Sequence, residues 1–240
     1  ESSTSVKGDY RHLCAAALHA PGHTPAAIDE QHHRRHHRFD STKGLYTMSN
    51  EHVPTKFSNP APLGLAGFAL TTWLLSMINA GWFSGDGMNM VLAVALAYGG
   101  TAQMIAGIME LPRGNTFGAT AFVSYGAFWW SFALFVLFLH DKVPAAFVGW
   151  YLFMWGFFTL YMWVATWKAA RALQLVFFAL WITFFLLAAG EWTGMPGLKM
   201  AGGYGGLITA AFAFYLSAAE VINDAHQRTV LPIGAPGASH

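Results

Sequence analysis

Six stretches of about twenty almost uncharged residues follow one another after the first quarter of this 240-residue chain, and no other feature limits its fold so sharply. They fall near 63–83, 88–109, 116–139, 145–167, 172–190 and 202–222. A helix rises about 1.5 Å per residue, so each run is close to the ~30 Å of hydrocarbon in a bilayer. Strands of a membrane barrel would be about half as long and would alternate between apolar and polar residues, which these runs do not. The expected fold is an all-α membrane protein, a bundle of six transmembrane helices with both termini on the cytoplasmic side.

Charge supports this division. Only 10% of the residues are charged, against roughly 25% in a soluble domain. Of the 25 charged residues, 11 lie in residues 1–47, and most of the others fall between the apolar runs. Residues 1–56 therefore read as a flexible tail containing His and Arg, 57–223 as the six-helix membrane domain, and 224–240 as a short C-terminal tail. The "QHHRRHHRF" stretch (31–39) reads as a solvated segment without function, against a metal-sensing arm or a basic patch for anionic lipid, and a non-native extension or wrongly chosen start before Met48 is a third reading. The first 25 residues hold no apolar region of signal-peptide length, and the lone Cys14 excludes an intramolecular disulfide.

The loops set the orientation. Lys56, Arg113, Lys168, Arg171 and Arg228 fall on one side, and only Lys142 and Lys199 on the other. The richer side is expected to be cytoplasmic, with the protein multi-pass in the cytoplasmic (inner or plasma) membrane. Trp82, Trp150, Trp167 and Trp192 lie near helix ends, where indole rings suit the headgroup layer.

Polar groups in hydrocarbon are costly, so their pattern carries information. Phe68, Thr72, Ser76 and Asn79 share one face of the first run, and Gly99, Gln103, Gly107 and Glu110 repeat that spacing in the second. The third has Thr116, Thr120 and Ser124, the fourth Tyr151, Trp155, Thr159 and Thr166, and the sixth Gly206, Thr209, Ala213 and Glu220. Such stripes suit either small-residue helix packing or a shared polar path. The ionisable residues Glu110, Arg113, Lys168, Arg171 and Glu220 sit only at run ends. That placement suits a pore for a small polar solute or anion rather than a carboxylate proton relay.

The first run opens with Asn59-Pro60-Ala61, the box of water-conducting pores. Those pores need two such boxes on facing half-helices, and this chain has one, ahead of a full-length helix. Asn59 is instead expected to cap the helix, with Pro60 and Pro62 in its first turn and the helix N-terminus offered to an anion.

The sequence "NPAPLGL" (59–65) resembles the signature of the acetate uptake transporters, the succinate–acetate permease family. The resemblance continues in order through "YGGTAQ" (98–103), "GNTFG" (114–118), "SYGAFWW" (124–130), "KAARALQ" (168–174), "VFFAL" (176–180) and "RTVLPIG" (228–234). It implies a six-helix protomer assembling as a homohexamer, with a path through each protomer. Acetate is the implied main substrate, with succinate and other short carboxylates, moved by proton symport or through an anion channel. It also implies a constriction made by a Phe, a Tyr and a Leu, which by motif position are Phe68, Tyr125 and Leu180. The acetate methyl would pass between Phe68 and Leu180 while the Tyr125 hydroxyl donates to the carboxylate.

Around this ring, Asn59, Thr72, Asn79, Gln103, Thr120 and Ser124 are candidates for lining the path or binding the anion. Glu110, Arg113 and Arg171 are candidates for a cytoplasmic vestibule. The alternatives are transport of another small solute such as ammonia or ammonium, and a non-conducting carboxylate sensor. An enzyme is not expected: all 11 His lie in the tail, a loop or the C-terminal segment, away from a nucleophile or a metal-ligand spacing. No cofactor, metal or nucleic acid is expected, and the lipid bilayer is the surrounding medium.

Overall fold

A computed structural model describes residues 58–234. The His-rich stretch 31–39, the segment before Met48 and Lys56 lie outside the described residues. Six helices are long and apolar enough to cross a membrane: Ala61–Asn79, Gly85–Arg113, Thr116–Lys142, Ala145–Lys168, Arg171–Thr193 and Pro196–His226. They are called the first to the sixth helix below.

The helix ends differ from the sequence expectation where backbone chemistry overrides hydropathy. The first helix stops at Asn79, four residues early, because the chain turns through Gly81 at φ 78°. The sixth begins at Pro196, six residues early, since proline suits a first turn and the following Gly-rich stretch stays helical. It also runs on to His226, so the expected C-terminal tail from 224 begins inside the helix. The second helix is π-helical over Ala95–Ala102. There the Thr101 hydroxyl donates to the Leu96 carbonyl at 2.7 Å. This wider turn sets the register of the next segment, in which Gln103, Ala106, Gly107 and Glu110 are buried while Ile108 and Met109 face outward.

The first helix packs between the second and the sixth, and the fifth between the fourth and the sixth. Side chains of ordinary size would hold these backbones apart, so glycine stands at the closest crossings. A Cβ on Gly67 would lie 2.8 Å from the Tyr98 carbonyl oxygen, and one on Gly203 would strike the Ala80 backbone. The seam between the third and fourth helices is different. It is filled by aromatic rings and crossed by two hydroxyl pairs, Tyr125 with Thr159 at 2.9 Å and Ser131 with Tyr151 at 2.6 Å.

Four helix ends meet on one side of the bundle. Asn59 donates to Glu220, Arg113 to the Ser58 carbonyl, and the Arg171 and Ala172 amides to the carbonyls of Gly234 and Ile233. The chain after the sixth helix is thus folded back rather than trailing away. The Tyr215 hydroxyl also holds the Pro232 carbonyl at 2.6 Å, and Asn223 holds Val230 and Leu231. This is the side carrying Arg113, Lys168, Arg171 and Arg228. At the other end Trp82 meets Tyr204 and Trp192 meets the Ala146 carbonyl.

Candidate functional site: an apolar cavity between the helices

Side chains from four helices converge on one narrow cavity. Leu65 and Phe68 come from the first helix, Gln103 from the second, Phe117 and Tyr125 from the third, and Leu180 from the fifth. Phe68, Tyr125 and Leu180 are 6%, 3% and 3% exposed, so the three residues picked from the motifs lie together in the core. The Phe68 and Tyr125 ring centroids are 5.7 Å apart. The space left at the centre is about 30 Å³, room for a water molecule or two. A solute as large as a carboxylate passes only if a wall residue moves.

Tyr125 is the most constrained member of the wall. Its ring touches Phe158 at 5.4 Å and Phe177 at 6.1 Å between centroids. Its hydroxyl lies 2.9 Å from the Thr159 hydroxyl, and Thr159 in turn donates to the Trp155 carbonyl at 2.7 Å. A carbonyl only accepts, so the single Thr159 hydrogen goes to Trp155 and Tyr125 must donate to Thr159. The phenol proton is therefore committed to the seam between the third and fourth helices. Donating to a passing carboxylate, as expected from the sequence, would require the phenol to leave Thr159.

Gln103 supplies the polar group of the cavity wall. It is 1% exposed, and its Oε1 has no hydrogen-bond partner among the described residues. Thr72, one turn beyond Phe68, is also buried with an unpartnered hydroxyl. The other candidates lie elsewhere. Thr120 is exposed on the outer face of the third helix, Ser124 is half-buried, and Asn79 ends the first helix at the far side. None of these three lines the cavity.

Several hydroxyls serve packing, among them Thr209 and Ser76 of the stripes and Thr71 and Thr183 outside them. Thr71, Thr183 and Thr209 each donate to the carbonyl four residues earlier in their own helix, and Ser76 sits against Gly206. A hydroxyl satisfied in this way offers little to a solute and allows close helix approach.

The motif at 59–65 is used differently from the expectation. Pro60 itself takes the N-cap position, and the Asn59 side-chain Oδ1 accepts the Ala61 amide at 3.1 Å from one residue further out. The Asn59 amide nitrogen donates to the Glu220 carboxylate at 2.9 Å, and Ser217 donates to the Pro62 carbonyl at 2.8 Å. The carboxyl group beside the first helix N-terminus is therefore the chain's own Glu220. Glu110 is 1% exposed and ion-paired with Arg113 Nε at 3.4 Å, and among the described residues neither carboxylate oxygen has a hydrogen bond. Arg171 is exposed at the start of the fifth helix.

Sequence reasoning missed Leu65, Phe117 and Phe177 as cavity walls. Thr159 stood in the fourth-run stripe without a role, since nothing local announces a partner 34 residues away.

Comparison with known proteins agrees with this architecture. Residues 42–234 match the model of the GPR1/FUN34/yaaH family. The chain is 50% identical over 184 residues to the succinate-acetate/proton symporter SatP of Escherichia coli, a match covering 75% of this chain and 97% of that protein. It is 38% identical over 197 residues to acetate permease A of Emericella nidulans, covering 74% of this chain and 66% of the relative. The solved structure of the bacterial acetate channel SatP superposes with a TM-score of 0.71 at 49% identity, over 75% of this chain and all of that one. With six membrane-spanning helices and these relatives, the chain is a multi-pass membrane protein that belongs to the GPR1/FUN34/yaaH family.

Proposed function

We propose that this protein moves acetate, and also succinate, across the cytoplasmic membrane along a path through each protomer, with Phe68, Tyr125 and Leu180 as its constriction. The observation that carries the reading is the convergence of these three residues, each from a different helix, on one apolar cavity in the bundle. The relatives named for succinate and acetate transport support the substrate class. They also support transport rather than catalysis, and they do not favour ammonia or a non-conducting sensor.

An apolar ring suits a small carboxylate. It accommodates the methyl group and offers nothing to replace the water shell of an inorganic ion. Gln103 is the residue proposed to meet the carboxylate, since its amide can donate as well as accept. Glu110, Arg113 and Arg171 stand at the mouth, on the side assigned to the cytoplasm by its basic residues. Assembly as a homohexamer is part of the proposal and rests on the family resemblance.

The test is uptake of labelled acetate into vesicles holding the purified protein, against empty vesicles, with imposed pH gradients and voltages. Uptake above the empty vesicles that succinate blocks and ammonium does not would support the reading. Dependence on the pH gradient would indicate symport, and dependence on voltage a channel. No uptake by folded protein would overturn it.

A further inference from the structure

We propose that Thr159 is a positioning residue for the constriction: it holds the Tyr125 ring across the path and so sets the largest carboxylate the path admits. The proposal rests on the reading of Phe68, Tyr125 and Leu180 as the constriction.

The cavity has room for a water molecule or two, so a passing solute must displace part of its wall. Phe68 and Leu180 are held only by van der Waals contact, which allows small shifts of a ring or a branch. Tyr125 carries in addition one directional tie, its hydrogen bond to Thr159 at 2.9 Å. Thr159 is 0% exposed, and its own hydrogen is fixed on the Trp155 carbonyl. The acceptor therefore cannot swing with the phenol. Moving the Tyr125 ring means breaking this bond between two buried groups, Tyr125 at 3% and Thr159 at 0% exposed.

A second feature makes the tie consequential. The third and fourth helices are separated by aromatic rings, and the Tyr125–Thr159 and Ser131–Tyr151 pairs are the hydroxyl ties recorded across that seam. The Ser131 pair lies further along the seam, away from the cavity wall. The Tyr125 pair alone joins the seam to the path.

The experiment compares uptake of acetate, propionate and butyrate by the full chain in vesicles, each corrected for empty vesicles. Thr159→Val keeps the side-chain volume and removes the acceptor. It is expected to raise the butyrate-to-acetate uptake ratio roughly two- to tenfold, the range that follows from the net worth of one hydrogen bond. Thr159→Ser should restore the original ratio. Tyr125→Phe removes the same bond without leaving a buried hydroxyl unpaired, so it should give a similar ratio even where Thr159→Val folds poorly. The double variant should add nothing to either single one, because both break one interaction.

An unchanged ratio in folded Thr159→Val and Tyr125→Phe, or additive effects in the double variant, would overturn the positioning role. Phe68→Ala serves as the control for the reading beneath it. If Phe68→Ala changes the ratio while the Thr159 and Tyr125 variants do not, the constriction stands and the inference fails. If none of the three changes it, the constriction reading fails as well.

Discussion

The Asn59 side-chain amide donates to the Glu220 carboxylate across 2.9 Å and so ties the start of the first helix to the end of the sixth, 161 residues later. The Ser217 hydroxyl on the Pro62 carbonyl reinforces the same junction one turn deeper. Ionised, this carboxyl would set a negative charge at the proposed mouth. Glu220→Gln keeps a hydrogen-bond acceptor for Asn59 and removes that charge. A unit charge acting across about 8 Å of water would change the local concentration of a monovalent anion about twofold. Acetate uptake at low concentration should therefore rise about twofold in Glu220→Gln at low salt. The gain should fade at high ionic strength, where the charge is screened. Equal uptake at both salt concentrations would remove Glu220 from the route.

Glu110 and Arg113 lead to an asymmetric prediction. The carboxylate is 1% exposed and the Arg113 side chain 21%, with 3.4 Å between Glu110 Oε2 and Arg113 Nε. Removing the arginine strands a buried charge, whereas neutralising the glutamate leaves a partly exposed arginine that still holds the Ser58 carbonyl. Arg113→Ala should destabilise the protein by about 2 kcal/mol after allowance for its exposure, and Glu110→Gln by less than about 1 kcal/mol. Thermal unfolding in detergent would rank them, and the reverse order would refute this account of the pair.

These contacts mark where the sequence stops being informative. The six helices were legible because a membrane crossing needs about twenty apolar residues and the chain repeats that length six times. Phe68, Tyr125 and Leu180 were found through their motifs, and they do share a cavity. The direction of the Tyr125 hydroxyl was not legible, because it depends on which helix lies opposite and on whether Thr159 has already given its proton to Trp155. The Ser and Thr stripes left packing and a shared path open for a related reason. A hydroxyl at the right spacing looks the same whether it faces a path or its own helix carbonyl, as Thr209 does. The fold-back of residues 229–234 rests on Tyr215 and Asn223, which carry no local signal for it.

Close helix approach can be tested at Gly67. A Cβ there would stand 2.8 Å from the Tyr98 carbonyl oxygen and 3.6 Å from the Gln103 Cβ. The neighbour is backbone and cannot rotate away. Gly67→Val should push the first and second helices apart, with a cost of about 1–3 kcal/mol for overpacking. Because Gln103 stands at the same crossing, acetate uptake per folded protein should also fall. A variant of wild-type stability and uptake would show that the crossing tolerates a side chain.

Gln103 gives the most direct test of what the carboxylate meets. Its amide is buried in the cavity wall with an oxygen that no described residue satisfies, and a buried acceptor left without a partner costs about 1–3 kcal/mol. Gln103→Leu removes that cost at nearly constant volume, so the variant should be at least as stable as the parent. If the amide meets the carboxylate in transit, the same change removes its polar partner, and acetate uptake should fall about tenfold or more. Gln103→Glu should also lower uptake, because a charged carboxylate there would repel the anion. The informative pattern is therefore opposite signs: stability up and transport down in Gln103→Leu. A leucine variant that is both more stable and fully active would mean that the solute crosses the cavity on apolar contact alone.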